Sequence, residues 1–89
     1  MAAQTQASSV PPIQAVLSDV TAQLIIVAHA YLEPQAEGTE PDLSSAELAI
    51  DVAGEAFERT QGRLPSDERA ALARMLTELR MTFVRKRGL

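Results

Sequence analysis

The chain has 89 residues, no cysteine and a net charge of −4. That length allows one small domain, and without cysteine neither disulfides nor a thiolate metal site can stabilise it. Domains of this size bury only about 60% of their unfolded surface, so self-association is the common remaining support.

The apolar residues are mainly Ala, Leu, Val and Ile, with Tyr31, Phe57 and Phe83 the only aromatics. This composition favours helix packed on helix. The charge is divided along the chain. Nine carboxylates and no lysine or arginine lie between Met1 and Glu58, whereas from Arg59 onward eight lysines and arginines face Asp67, Glu68 and Glu78. Such a chain attracts its own other half, a second copy, or a partner of either sign.

Residues 1–12 read as a disordered tail, small and polar without a period. They carry neither a positive n-region nor an apolar h-region, so no secretory signal is expected. Residues 13–87 read as a single helical domain. Pro11 and Pro12 stand where a helix tolerates proline, and the first helix is predicted from Ile13 to Leu32. Ile13, Leu17, Val20, Leu24, Val27 and Tyr31 are spaced 4, 3, 4, 3, 4, a heptad seam. Val16, Ile25, Ile26 and Leu32 lie off that seam, so the second half is apolar nearly all round and needs cover on every side. The longest nearly apolar run, Leu24 to Leu32, is nine residues, against about 20 for a membrane span. The expectation is a soluble, cytoplasmic protein without a transmembrane segment.

Glu33-Pro34 ends this helix, and an acidic loop follows to Pro41. The second helix is predicted to open at Asp42 or Ser44, with Ser44 and Glu47 as a capping box. Leu43, Ala46, Ile50, Ala53 and Phe57 form its seam. Gly54 sits mid-helix at about 1 kcal/mol relative to alanine, and with Ala49, Ala53 and Ala56 it makes a surface thin enough for another helix to approach. Gly62 is placed as a left-handed residue past the helix end. Pro65 and the acids Asp67 and Glu68 start a third helix, predicted to about Arg85, with Leu72, Leu76, Leu79 and Phe83 on its seam. Arg85, Lys86 and Arg87 complement its dipole before Gly88 stops it.

From about Leu24 onward the chain resembles a bacterial family catalogued as domain of unknown function 1844. Three blocks carry the resemblance: Leu24-Ile25-Ile26-Val27-Ala28-His29-Ala30-Tyr31-Leu32 before a proline-containing acidic loop; Asp42-Leu43 with Ala49-Ile50-Asp51 and Thr60-Gln61-Gly62-Arg63-Leu64; and Glu68, Leu76, Glu78-Leu79-Arg80 and Phe83-Val84. The resemblance implies a small helical fold and supplies no activity. Gly54 stands where the family usually has a helix former.

The chemistry-bearing residues are few. His29 and Glu33 are an i, i+4 pair, too few ligands for a protein metal site. No serine or threonine sits in a recognisable nucleophile setting, and the carboxylates Glu47, Asp51, Glu55 and Glu58 step along one face of the second helix. Like charges at this spacing repel mildly and are tolerated where cations lie opposite, and the third helix offers Arg69, Arg74 and Arg80. The cluster Arg85-Lys86-Arg87 is shorter than the basic field of a nucleic-acid binder.

These observations predict an all-α three-helix domain, a long apolar helix plus an antiparallel hairpin, assembled as a helical-bundle homo-oligomer, a dimer or higher. The expected interface is Leu17, Val20, Leu24, Val27 and Tyr31. The expected function is non-enzymatic and without cofactor or metal: an adaptor or accessory subunit of a larger complex, with Arg80, Arg85, Lys86 and Arg87 as partner contacts. A nucleic-acid- or ribosome-associated factor using the basic helix is the alternative.

Overall fold

A computed structural model of the chain describes residues 9–34 and 36–88. They form three helices and no strand: α1 (Ile13–Leu32), α2 (Leu43–Thr60) and α3 (Ser66–Gly88), with a 3-10 turn (Gln61–Arg63) between the last two. The tail assigned to residues 1–12 lies outside the described residues through residue 8.

Helix α1 starts without a side-chain cap. The Pro12 carbonyl accepts from the amides of Ala15 and Val16 at 3.0 and 3.3 Å. It ends where proline demands, with Glu33 extended at φ −103°, ψ 142°. The loop returns on Gly38, whose φ of 84° suits a residue without a Cβ. The Asp42 amide then donates to the Tyr31 carbonyl at 2.9 Å, which ties the start of α2 to the end of α1.

The cap of α2 differs from the expected box. Asp42, not Ser44, is the N-cap: its carboxylate accepts from the Ser45 amide at 3.1 Å and the Ser45 hydroxyl at 2.8 Å. These bonds, the hydroxyl first, hold the Asp42 carboxyl below its ordinary pKa. A carboxylate at the helix start reaches the first-turn amides and also meets the positive end of the dipole. Gly62 differs as well. Gly38 is the only described glycine with positive φ, and Gly62 lies inside the 3-10 turn, which carries the chain onward without a left-handed residue. Leu64, extended before Pro65 and buried, plugs the corner. α3 runs through Gly88, three residues past the expected end; an exposed terminal glycine weakens a helix without forcing it to stop.

The helices run up, down, up. The Ser18 hydroxyl of α1 donates to the Glu68 carboxylate near the start of α3, and Lys86 near its end lies 3.8 Å from the Glu33 carboxylate beyond α1. So α3 is parallel to α1 and antiparallel to α2. α2 and α3 thus form the expected antiparallel hairpin, while the more extensive contact of α2 is with α1. Side-chain size supplies the reason. α1 buries Ser18, Thr21 and Ala28 beside Ile25 and Leu32, and α2 buries Ala46, Ala49 and Ala53 beside Ile50 and Phe57, whereas the buried residues of α3 are all large: Leu72, Leu76, Leu79 and Phe83. Short side chains let two axes approach, and long ones hold the third helix off.

The seams predicted on α2 and α3 are the ones that enter the core, with Leu43 half-buried at the edge. On α1 the buried row is Ser18, Thr21, Ile25, Ala28 and Leu32, displaced by one residue from the heptad seam. Thr21 and Thr60 reach this interior because each hydroxyl donates back to its own helix, at 2.7 Å to Leu17 and to Ala56. No described buried side-chain polar atom lacks a partner. Burial of each large core side chain contributes about 1.5–3 kcal/mol, with Leu32, Leu76 and Leu79 fully enclosed.

Candidate interaction surfaces

The residues expected at an oligomer seam flank this core. Leu17 and Leu24 are half-buried, whereas Val20, Val27 and Tyr31 are exposed. Successive residues on a helix turn by about 100°, so a row one residue from the core row faces about 100° away from it. Here it faces past the edge of α2. There Leu24, Val27 and Tyr31 form one wall of an open groove of about 330 Å3, and Leu48, Ala49 and Val52 of α2 form the other. Leu48 is 66% exposed and Val52 46%. The sequence reading missed these two, although an i, i+4 apolar pair opposite the α2 seam was there to be seen.

Taken as a whole, α1 is long and apolar enough to cross a membrane by length and composition. The nine-residue run understates it, because a span tolerates scattered polar residues and Asp19 is the only Asp, Glu, Lys or Arg between Ile13 and Leu32, with His29 the one other titratable side chain before Tyr31. A core helix meets the same test, and α1 packs Ile25, Ala28 and Leu32 against the other two helices.

A second groove, about 490 Å3 and open, lies along the C-terminal half of α3, with Met81 and Val84 as floor and Thr77, Arg80 and Arg85 around them. The four expected partner contacts divide here. Lys86 is half-buried beside Glu33, and the Arg87 guanidinium lies 5.3 Å from the centroid of the Phe83 ring, so both are engaged with their own chain. Arg80 and Arg85 rim the groove; Arg85 donates to the Thr82 hydroxyl at 3.3 Å. Met81 and Val84 were not singled out in the sequence, though their spacing from Thr77 (4, then 3) marks one helix face.

Among the described residues no α2 carboxylate comes within ion-pair distance of an α3 cation. The pairs present are Glu55–Arg59 within α2, at 2.8 Å, and Glu33–Lys86. Arg69 turns instead to the Gln61 carbonyl at 3.3 Å, closing the 3-10 turn. No three His, Asp or Glu side chains among the described residues converge on a metal-sized site, and His29 is exposed on α1. The chemistry these surfaces offer is apolar contact and guanidinium charge.

No curated protein and no solved structure matches the chain. The family described as Domain of unknown function (DUF1844) matches residues 15–85, from the first turn of α1 to the last turn of α3. That match covers all three helices and every buried residue described above, and the chain therefore belongs to the DUF1844 family.

Proposed function

We propose that the protein is a non-enzymatic, homo-oligomeric adaptor: an accessory subunit of a larger cytoplasmic, bacterial complex that presents helical surfaces and binds no cofactor. The observation that carries this reading is the α1–α2 groove. Val27, Tyr31, Leu48 and Val52 are each exposed by a third or more and line one side of a helix pair, with Val20, also exposed, one turn before Leu24 on the same row of α1. Scattered exposed apolar residues are ordinary, but a contiguous apolar strip marks an interface. In a chain this small it also supplies the area that the core lacks. A two-fold pairing of α1 against α1 is the simplest closed assembly.

The non-enzymatic part rests on what the grooves contain. Their polar groups are Arg80, Arg85, Thr77, Ser45 and the Tyr31 phenol, with no carboxylate or imidazole placed to move a proton. The alternative, a nucleic-acid- or ribosome-associated factor, draws on Arg80 and Arg85. It is weakened by the acidic row on the neighbouring helix and by the burial of Phe83, which leaves α3 no stacking aromatic.

The test is the mass in solution of the wild type and of Val27→Asp. The wild type is expected to sediment as a small multiple of the chain, and Val27→Asp as a smaller species with unchanged helicity. A variant that keeps the wild-type mass sinks the seam. For the accessory role, the native complex isolated gently from its own cells is expected to exceed the self-assembled mass and to contain a second protein. RNA in its place would favour the alternative, and its binding would fall steeply with salt and depend on Arg85.

A further inference from the structure

At Gly54 a side chain of α3 reaches over α2. A Cβ at this position would lie 2.5 Å from the Arg80 guanidinium, so the Arg80 side chain crosses directly over the α2 backbone. One turn either side of Gly54 the same strip of α2 carries Asp51 and Glu58, both exposed. The matching strip of α3 carries Thr77 and Val84 next to Met81 and Arg85. One face of the molecule thus places a carboxylate row on one helix beside an arginine-rimmed apolar groove on the next. The two rows lie side by side, and among the described residues they form no ion pair with each other.

Such a face selects against simple partners. A uniformly acidic helix, or a polyphosphate, is drawn to α3 and repelled by α2, and a basic one meets the reverse. The face is complementary to itself. Under a two-fold axis lying in the contact plane and parallel to the helices, α3 of one copy lies on α2 of the other, and the same contact occurs twice. We infer that the α2–α3 face is a second self-association surface, in which Arg80 and Arg85 of one copy meet Asp51 and Glu58 of another while Met81 and Val84 close the centre. Exposed ion pairs by themselves contribute little, so the apolar floor, with Met81 57% and Val84 51% exposed, supplies the area and the charges set the register. The inference goes beyond the proposed function, which needs only the α1–α2 groove.

Two full-length variants test it by sedimentation at low salt. Arg80→Glu with Arg85→Glu makes the face acidic throughout, and Asp51→Arg with Glu58→Arg makes it basic throughout. Each alone is expected to weaken this association by about tenfold or more, and an equimolar mixture to restore it as a heteromeric pair. The inference is overturned if either variant keeps the wild-type mass, or if two folded variants fail to recover it on mixing. Where a charge pair disturbs folding, Met81→Asp, exposed and clear of the core, is read in the same way. Loss of mass in Val27→Asp alone, with the charge variants unaffected, keeps the α1–α2 seam and sinks this surface. The reverse pattern sinks the seam and keeps this surface, and a wild type that is monomeric throughout overturns both.

Discussion

Helix α2 has two exposed sides that differ in kind. Toward α1 it presents Leu48 and Val52, which join Leu24, Val27 and Tyr31 in an apolar groove. Toward α3 it presents Asp51 and Glu58, beside Arg80 and Arg85. Residues 51 and 52 are neighbours in the chain, yet a rotation of about 100° puts them on surfaces of opposite chemistry. An apolar contact is non-directional and scales with area, whereas a charged contact adds register and sensitivity to salt. One short helix can therefore serve two different contacts without either disturbing the other.

The largest expected effect falls on both sides at once. Leu76 is fully buried in the layer that holds α3 on the other helices, so Leu76→Ala is expected to cost about 2–5 kcal/mol. Chemical denaturation should show this loss, with the two surfaces failing together. A cost under about 1 kcal/mol would mean that α3 is not anchored as described.

Leu48→Asp separates the surfaces. Its side chain is 66% exposed, so stability of the folded chain should stay within about 0.5 kcal/mol, while self-association through the apolar groove weakens by about tenfold or more. Equal loss of fold and association would remove the distinction between groove and core. Leu24→Asp is a poorer probe, since Leu24 packs against the core as well as lining the groove.

Gly54→Ala acts on the charged side alone. The added methyl displaces the mobile end of Arg80, not a backbone, while alanine is favoured over glycine in a helix by about 1 kcal/mol. A gain of up to about 1 kcal/mol in thermal or chemical unfolding is expected, with Arg80 moved outward. A destabilised variant would show that Arg80 has nowhere to go.

The smallest effect lies at the cap of α2, which serves both sides equally. Asp42 has a depressed pKa in the folded chain because its carboxylate holds the Ser45 hydroxyl and amide. The sign follows from linkage. The unfolded chain takes up the proton first as pH falls, so this contribution is present above the ordinary carboxylate range and is lost as pH drops through the folded value. Asp42→Ala should lower the melting temperature at neutral pH, and the gap from wild type should close in acid. A gap that does not change with pH would assign the effect to helix propensity.

Most of the fold was legible because helices leave a period in the sequence. The bounds of α1 emerged at both ends, since Pro12 and Glu33-Pro34 are local constraints on backbone geometry. The seams of α2 and α3 emerged because each has one clearly apolar face. The row of α1 that enters the core did not, because an apolar helix offers several candidate rows, and the chosen one includes Ser18 and Thr21, which look polar until their hydroxyls find partners. The Ser44–Glu47 box failed for a related reason: two capping residues stood two positions apart, and Asp42 captured Ser45. The surfaces were half legible. The seam residues and the arginines were named from spacing and charge, but Leu48, Val52, Met81 and Val84 appear as groove walls only once three axes are placed.

By itself the sequence determined three helices, the bounds of α1 at its prolines, and the separation of acid from base between α2 and α3, all of which depend on neighbours within a turn or two. Only the tertiary structure decided which row of α1 is inside, that α2 lies closest to α1, and that Arg80 crosses α2 at Gly54. Those outcomes are set by side-chain volume where helices distant in sequence meet. A periodic pattern states that a face is apolar, and it carries no record of how closely another helix can approach it.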